Sequence, residues 1–170
     1  GKGSIQYQRF TSSGKANGDS IIVASDWDVH VPSIAELSNG NIVVAWQNYS
    51  SGYRNVQYKV FNADDVLLKS GTASQIVDDD HIDVKITDIG SDKFIIDANI
   101  YDDFPSTWGN GRSQMLFSYD GEPLGAEKLY SDKLGTSLRS DVVGLDDGKV
   151  ASILLTNDSS LKLNIVDPIS

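Results

Sequence analysis

The chain has 170 residues, with 24 acidic side chains against 14 Lys and Arg, a formal net charge of -10 and no cysteine. This acidity argues against nucleic-acid binding, because phosphate recognition needs clustered Lys and Arg. The lack of cysteine excludes disulfides, a thiolate nucleophile and Cys-ligated zinc, and no apolar run approaches the roughly 18 residues of a membrane span. We therefore expect one domain, residues 1–170, that is large enough to bury a core.

The first 29 residues predict two strands. Residues 4–10 (SIQYQRF) alternate and carry aromatic side chains, and a second strand, 20–24 (SIIVA), follows a polar turn with glycines at 11–19. The chain starts at Gly1 without an initiator Met, so we expect a processed product or an excised piece of a longer protein.

Residues 32–47 (PSIAELSNGNIVVAWQ) predict a β-hairpin. The pair Asn39-Gly40 tolerates positive φ and is typical of a tight hairpin turn. The run 42–46 shows no polar alternation, which predicts a central strand covered on both faces, with Trp46 in the core. Two further strands, 55–61 and near 74–77, complete a four-stranded unit within residues 30–80.

The hairpin pattern occurs twice more in weaker form, at 86–98 around Gly90-Ser91-Asp92 and at 142–155 around Asp146-Asp147-Gly148. Strands at 113–119, 126–130 and 161–166 accompany these copies. The units 1–29, 30–80, 81–132 and 133–170 are then four-stranded antiparallel repeats of about 50 residues, complete in the middle and partial at the ends. Such repeats are typical of β-propeller blades; a β-sandwich built from the same hairpins is the alternative. Since the strands do not add up to a closed ring, we expect neighbouring repeats or self-association to complete one.

The segments PSIAELSNGNIVVAWQ, NVQYKVFNADD and SIQYQRFTSSGKANGDSIIVAS resemble the propeller-like repeats of very large secreted bacterial proteins, including RTX-type adhesins. The resemblance covers most of the chain and rests on structural motifs: a Pro-Ser opening, an Asn-Gly turn, a Trp and an aromatic residue before a turn. It implies an extracellular, secreted or cell-surface module without catalytic activity. The nonapeptide calcium repeat of RTX proteins is absent, so the resemblance implies no calcium site.

Alternating strand direction places the longer connections, predicted at 25–30, 48–54, 78–81 and 101–112, at one edge of every unit. Loops on a rigid scaffold are where binding sites usually lie. The longest connection, 101–112, gathers aromatic side chains, carboxylates and glycines. Aromatic rings offer flat apolar surfaces to sugars or peptide side chains. Alternatively, Phe104 and Trp108 fold this loop back onto its own unit. The predicted ligand-binding residues are Trp27, Tyr49, Tyr53, Tyr101, Asp102, Asp103, Phe104, Trp108 and Arg112.

Cofactors are not expected, with calcium as the exception to be tested. Oxygen ligands could come from Asp26, Asp28, Asp78, Asp79, Asp80 and Asp83. None of them has the regular spacing of a calcium loop, so turn-capping and solvated carboxylates are favoured. His30 and His81 are expected at corresponding positions of two repeats, where a structural role is favoured over zinc binding.

Catalytic motifs are missing: the sequence contains no GxSxG, HExxH or GxxxxGK[ST]. We therefore predict a non-catalytic binding or adhesion module for a glycan or a peptide. A structural spacer of a large secreted protein is the first alternative, and an enzyme domain acting on polysaccharide is the second.

Overall fold

A computed structural model describes residues 3–50, 52–75, 80–101, 111–130, 139–145, 149–155 and 160–167. These residues form strands, turns and irregular segments, and no helix among them is long and apolar enough to cross a membrane. The predicted all-β fold class is confirmed.

The strands form four separate antiparallel sheets in chain order. Sheet 1 contains β1 (Gly3–Tyr7) and β2 (Ile21–Asp26). Sheet 2 contains β3 (Val29–Glu36), β4 (Ile42–Ser50), β5 (Tyr53–Phe61) and β6 (Leu67–Thr72). Sheet 3 contains β7 (Asp80–Gly90), β8 (Lys93–Tyr101), β9 (Gly111–Ser118) and β10 (Lys128–Tyr130). Sheet 4 contains β11 (Arg139–Gly144), β12 (Val150–Leu155) and β13 (Leu161–Val166). The described residues contain no closed ring of sheets.

The second strands of the three predicted hairpins, at 42–46, 94–98 and 150–154, are central strands, as predicted. β4, β8 and β12 each lie between two neighbours of the same sheet. β4 shows why its run lacks alternation: Val43 and Ala45 enter the core shared with sheet 3, while Val44 and Trp46 enter the core shared with sheet 1. A strand covered on both faces has no solvent side to which a polar residue would point.

The fourth strand of sheet 2 does not lie where the sequence predicted it. Residues 74–77 were expected to form it, but β6 spans Leu67–Thr72. The cause is a tight turn, in which the Asn62 side chain accepts hydrogen bonds from the backbone N–H groups of Asp64 (3.0 Å) and Val66 (2.9 Å). Because this turn reverses the chain within a few residues, pairing with β5 resumes at once.

Successive sheets stack face to face and share apolar cores. Ile5, Tyr7 and Val23 of sheet 1 pack with Trp46 and its neighbours in sheet 2. Sheets 2 and 3 share the largest core, which contains the following fully buried or nearly buried side chains: Val43, Val56, Val60, Phe94, Met115 and Phe117. Sheets 3 and 4 share a smaller one of Ile89, Ile95 and Val150.

Close backbone approach fixes sheet 4 against sheet 3. A Cβ placed on Gly144 would lie 2.4 Å from the carbonyl oxygen of Asp88, a contact that no real side chain tolerates. Glycine at this position of β11 therefore permits the contact between β11 and β7.

The strand connections alternate between two edges of the stack. The turn edge holds Asn39-Gly40, the 62–66 turn, Ser91-Asp92 and Asp120-Gly121. The opposite edge, here called the loop edge, holds the β2–β3 and β4–β5 connections and the strand ends that the β6–β7, β8–β9 and β12–β13 connections join. This is the arrangement that strand parity predicted.

Two of the loop-edge connections are shorter than predicted. A loop was expected over 48–54, but β4 runs to Ser50 and β5 starts at Tyr53. Cross-strand pairs Asn48–Asn55 and Tyr49–Arg54 extend the ladder, and Gly52, at φ 94°, supplies the left-handed residue of the turn. The predicted 25–30 loop is likewise reduced, because β2 continues to Asp26 and β3 starts at Val29.

Candidate functional site

Three aromatic side chains from the predicted set are exposed at the loop edge of sheet 2. Trp27 is 61% exposed, Tyr49 46% and Tyr53 42%. Most other described aromatic side chains of this chain are buried, so three exposed rings at one end of one sheet are a distinct feature. Exposed large apolar groups that cluster beside polar ones mark binding surfaces more often than scattered ones do.

The chain connections place these three rings at the same end of the sheet. Trp27 and Asp28 form the short turn from sheet 1 into β3, and the Tyr49 N–H donates to the Asp28 carbonyl at 3.1 Å. Tyr49 pairs with Arg54 across the β4–β5 hairpin, and Tyr53 lies next to that pair. Directly opposed residues have Cβ atoms about 4.5–5.5 Å apart, so Tyr49 and Arg54 share one face. Tyr53 is opposite Ser50 and therefore lies on the other face of the hairpin.

A depression of about 440 Å³ lies beside Tyr49, within the size range of small-ligand sites. It is lined by Asp28, His30, Val31, Gln47, Tyr49 and Arg54. The lining combines one aromatic ring with a carboxylate, an imidazole, an amide and a guanidinium group. These groups can donate to and accept from the hydroxyls of a polar ligand while the ring covers its apolar face.

His30 and Gln47 line the depression although the sequence did not predict them as ligand residues, and the strand register explains their position. His30 pairs with Gln47, and Gln47 is two residues from Tyr49 on the same strand. Alternate residues of a strand share a face, so these three side chains lie together. Tyr49 was predicted as a ligand residue. Because residues two apart on a strand share a face, the sequence could also have indicated Gln47 and, through strand pairing, His30.

The predicted equivalence of His30 and His81 is wrong. His30 pairs with Gln47 in sheet 2, and the corresponding pair in sheet 3 is Ile82 with Asn99. His81 is therefore displaced by one residue, and a one-residue displacement turns a side chain to the other face of a sheet. His30 is exposed beside the depression, whereas His81 is fully buried.

His81 belongs to a buried polar network. Its Nε2 lies 3.1 Å from the Glu127 carboxylate and its Nδ1 lies 3.3 Å from the Arg54 carbonyl oxygen. The Ser113 hydroxyl also donates to Glu127. Because serine bonds to the carboxylate and not to the imidazole, this trio lacks the nucleophile–base contact of a hydrolase. The network instead connects sheets 2 and 3. Gln75 reinforces this connection: its backbone N–H donates to the Glu127 carboxylate, and its side-chain oxygen accepts from the Glu127 N–H.

Arg112, predicted at the binding surface, lies in the interior. It is 3% exposed and pairs with the buried carboxylate of Asp97. Burial raises the pKa of Asp97, and the nearby Arg112 opposes this rise without cancelling it. Arg112 Nε and Nη1 and Asp97 Oδ1 make no hydrogen bond. The pair faces sheet 4, where it replaces the apolar contacts that sheet 2 makes at the equivalent positions, Ala45 and Val56.

The remaining predicted ligand residues cannot be placed. Asp102, Asp103, Phe104 and Trp108 lie outside the described residues, as does the side chain of Tyr101. Their roles stay predictions.

The aspartates considered for calcium do not come together in the described part of the chain. No group of three or more His, Asp or Glu side chains there could hold a metal ion. Asp26 accepts from the Trp27 N–H at 2.7 Å, and Asp83 accepts from the Asn99 amide at 3.3 Å. Asp78 and Asp79 and the side chain of Asp80 lie outside the description.

Comparison with known proteins gives no family for this chain: no protein-family model matches it, and no curated protein is significantly similar.

Proposed function

We propose that the chain is a non-catalytic, secreted or cell-surface binding module that recognises a glycan at the loop edge of sheet 2. The observation that carries this proposal is the exposed ring of Tyr49 in a polar depression, with two further exposed rings, Trp27 and Tyr53, at the same edge of the sheet. Sugars present apolar C–H faces and polar hydroxyl rims, and this combination of rings with a carboxylate, an amide and a guanidinium group is complementary to both. The secreted location rests on the resemblance to repeats of large secreted bacterial proteins.

The proposal includes the architecture. The four sheets are blades of an open, propeller-like array in which the first strands of sheets 2, 3 and 4 lie innermost. In support, β3 contacts β7, and β7 contacts β11. A second support is a shared irregularity: Val31 in β3 and Asp83 in β7 have positive φ, 43° and 53°, at register shifts separated by the repeat spacing. The strain at Val31 therefore belongs to the repeat and is not specific to the site.

Binding to a panel of soluble polysaccharides by affinity electrophoresis, followed by a glycan array, tests the proposal. Tyr49→Ala should weaken binding to the best glycan about thirtyfold, since Tyr49 lines the depression and truncating a central interface aromatic commonly costs about 2 kcal/mol. Tyr49→Phe keeps the ring and should have a smaller effect. Phe10→Ala is the matched control, because Phe10 is an equally exposed aromatic (62%) outside the loop edge.

Two results would contradict a glycan site at this edge. One is glycan binding that Trp27→Ala and Tyr49→Ala leave unchanged. The other is the absence of glycan binding, in which case a peptide array on the same variants separates peptide recognition from a purely structural spacer.

A further inference from the structure

Val31, in β3, has a backbone conformation that its residue type disfavours. Its φ is 43°, in the left-handed region, where a β-branched side chain crowds the backbone. Pro32 follows it, and the residue before a proline is ordinarily extended. Val31 also lies at the shift in the β3–β4 pairing between His30 and Ser33. Two separate features of the sequence, the valine and the proline after it, therefore oppose the conformation that this residue adopts.

The repeat accounts for the conformation but not for the valine. Asp83 in β7 has a φ of 53° at the corresponding register shift, between Ile82 and Lys85. Aspartate is one of the residues that tolerate positive φ, because its short polar side chain can bond to the local backbone. No proline follows Asp83. A valine at this position of β3 therefore adds strain that the repeat itself does not require.

Packing does not account for the valine either. Val31 is 49% exposed and lies outside the core between sheets 1 and 2. Val29, two residues earlier in β3, packs against that core and supplies the apolar contact. Strain that neither the repeat nor the core explains is typical of residues at functional sites.

The surface that Val31 reaches is the depression beside Tyr49. Among the described residues that line it, Val31 is the one aliphatic side chain, next to one aromatic ring and four polar or charged groups. His30 and Val31 are consecutive residues of β3, and both are exposed and line the depression. Regular alternation would send one of them to the other face of the strand. The register shift therefore brings an additional side chain, that of Val31, to the site.

We propose that Val31 is a specificity-determining residue of this site, held over the depression so that its methyl groups contact the C–H face of a bound sugar. The inference rests on the proposed function and names the class of glycan. A hydroxyl or carboxylate group turned towards these methyl groups would lose hydrogen bonds to water without replacement. Val31 therefore selects uncharged sugars that present C–H groups at this point of the site.

Strain and ligand contact predict opposite effects for one substitution. Val31→Gly removes the crowding of the side chain, so it should stabilise the fold and lower the equilibrium constant of unfolding about fivefold. It also removes the apolar contact, so it should weaken glycan binding about tenfold. Val31→Thr keeps the shape and the strain but replaces one methyl group by a hydroxyl. This second variant should leave stability nearly unchanged and weaken binding about threefold.

Asp83→Gly is the matched control, because it makes the unfolded chain more flexible in the same way at the corresponding position of β7. Aspartate tolerates positive φ, and Asp83 accepts a hydrogen bond from the Asn99 amide at 3.3 Å. This variant should therefore gain no stability and should bind glycan as the wild type does. Urea unfolding measures the stabilities. Affinity electrophoresis in laminarin, xyloglucan and galactomannan, which are uncharged, and in alginate, which is acidic, measures the binding.

The results separate this inference from the proposed function. Glycan binding that Tyr49→Ala weakens, but that both Val31 variants leave unchanged, would overturn the inference and leave the proposed function standing. Equal gains in stability for Val31→Gly and Asp83→Gly would also overturn it, as would binding to alginate alone. Glycan binding that none of these site variants changes, or no binding to the four polysaccharides and the glycan array, would overturn the proposed function and this inference with it.

Discussion

Trp46 offers the sharpest test of how the stacked sheets are held together. It is 6% exposed and packs in the core between sheets 1 and 2 with Tyr7, Val44 and Phe61. Burying a tryptophan removes about 150–250 Å² from water, which at about 25 cal/mol per Å² corresponds to about 4–6 kcal/mol. Measured losses for truncating large core aromatics are about 3–5 kcal/mol, so Trp46→Ala should lower the free energy of unfolding by that amount.

The indole also has a weakness that separates its packing from its polarity. The Nε1–H of Trp46 is buried and donates to no acceptor, which costs about 1–3 kcal/mol relative to a satisfied group. Trp46→Phe loses apolar contact but removes this orphan donor, so the net change should be within about 1.5 kcal/mol. Urea unfolding followed by far-UV circular dichroism measures both variants. A loss below about 1 kcal/mol for Trp46→Ala, or equal losses for the two variants, would refute this reasoning.

Two further predictions concern buried or bonded carboxylates. Burial would raise the pKa of Asp88, but hydrogen bonds, led by those from Ser38, outweigh it and lower the pKa. The stabilisation that Asp88→Asn removes should therefore be present above about pH 4 and disappear as the pH falls through the lowered pKa of Asp88. Urea unfolding of the wild type and the variant at a series of pH values measures this change. A difference in the free energy of unfolding that does not depend on pH would contradict the prediction. Arg112→Met should cost about 3–5 kcal/mol at pH 7, because it leaves Asp97 buried without its partner, whereas Arg112→Met with Asp97→Leu should recover most of that loss. If Arg112→Met alone is as stable as the wild type, the carboxylate of Asp97 is hydrated and the prediction is wrong.

Much of the fold could be predicted because its signals are local. The Asn39-Gly40 turn and the unbroken run 42–46 identify a hairpin and its central strand, and the same pattern recurs at β8 and β12. The fourth strand of sheet 2 was misplaced because its cause is a side-chain effect: Asn62 closes the preceding turn, and no periodicity in residues 67–72 announces the strand. β6 is an edge strand whose side chains are exposed or half-buried, so it has no buried apolar face that a sequence pattern could reveal.

The candidate site was harder to predict because it depends on register. Identity of residue type suggested that His30 and His81 correspond, yet a displacement of one residue sends one to the surface and the other into the interior. The prediction for Arg112 failed for the same reason. Arg112 follows a long connection and was expected at the surface, but it lies within β9, is opposite Asn99 of β8 and faces sheet 4. Sequence reveals which residues are unusual, whereas pairing decides which face receives them.

Sheet stacking separates the scaffold from the surface that we assign to ligand binding. The cores between sheets 1 and 2 and between sheets 2 and 3 involve the two faces of β4 up to Trp46, and the exposed aromatic Tyr49 lies three residues further, past the end of both cores. Substitutions of Tyr49, Tyr53 or Trp27 should therefore change the free energy of unfolding by no more than about 0.5 kcal/mol, as is usual for exposed positions. Because the same strand supplies the core at one end and the ligand surface at the other, the site is held on a rigid element while its side chains remain free to differ between repeats.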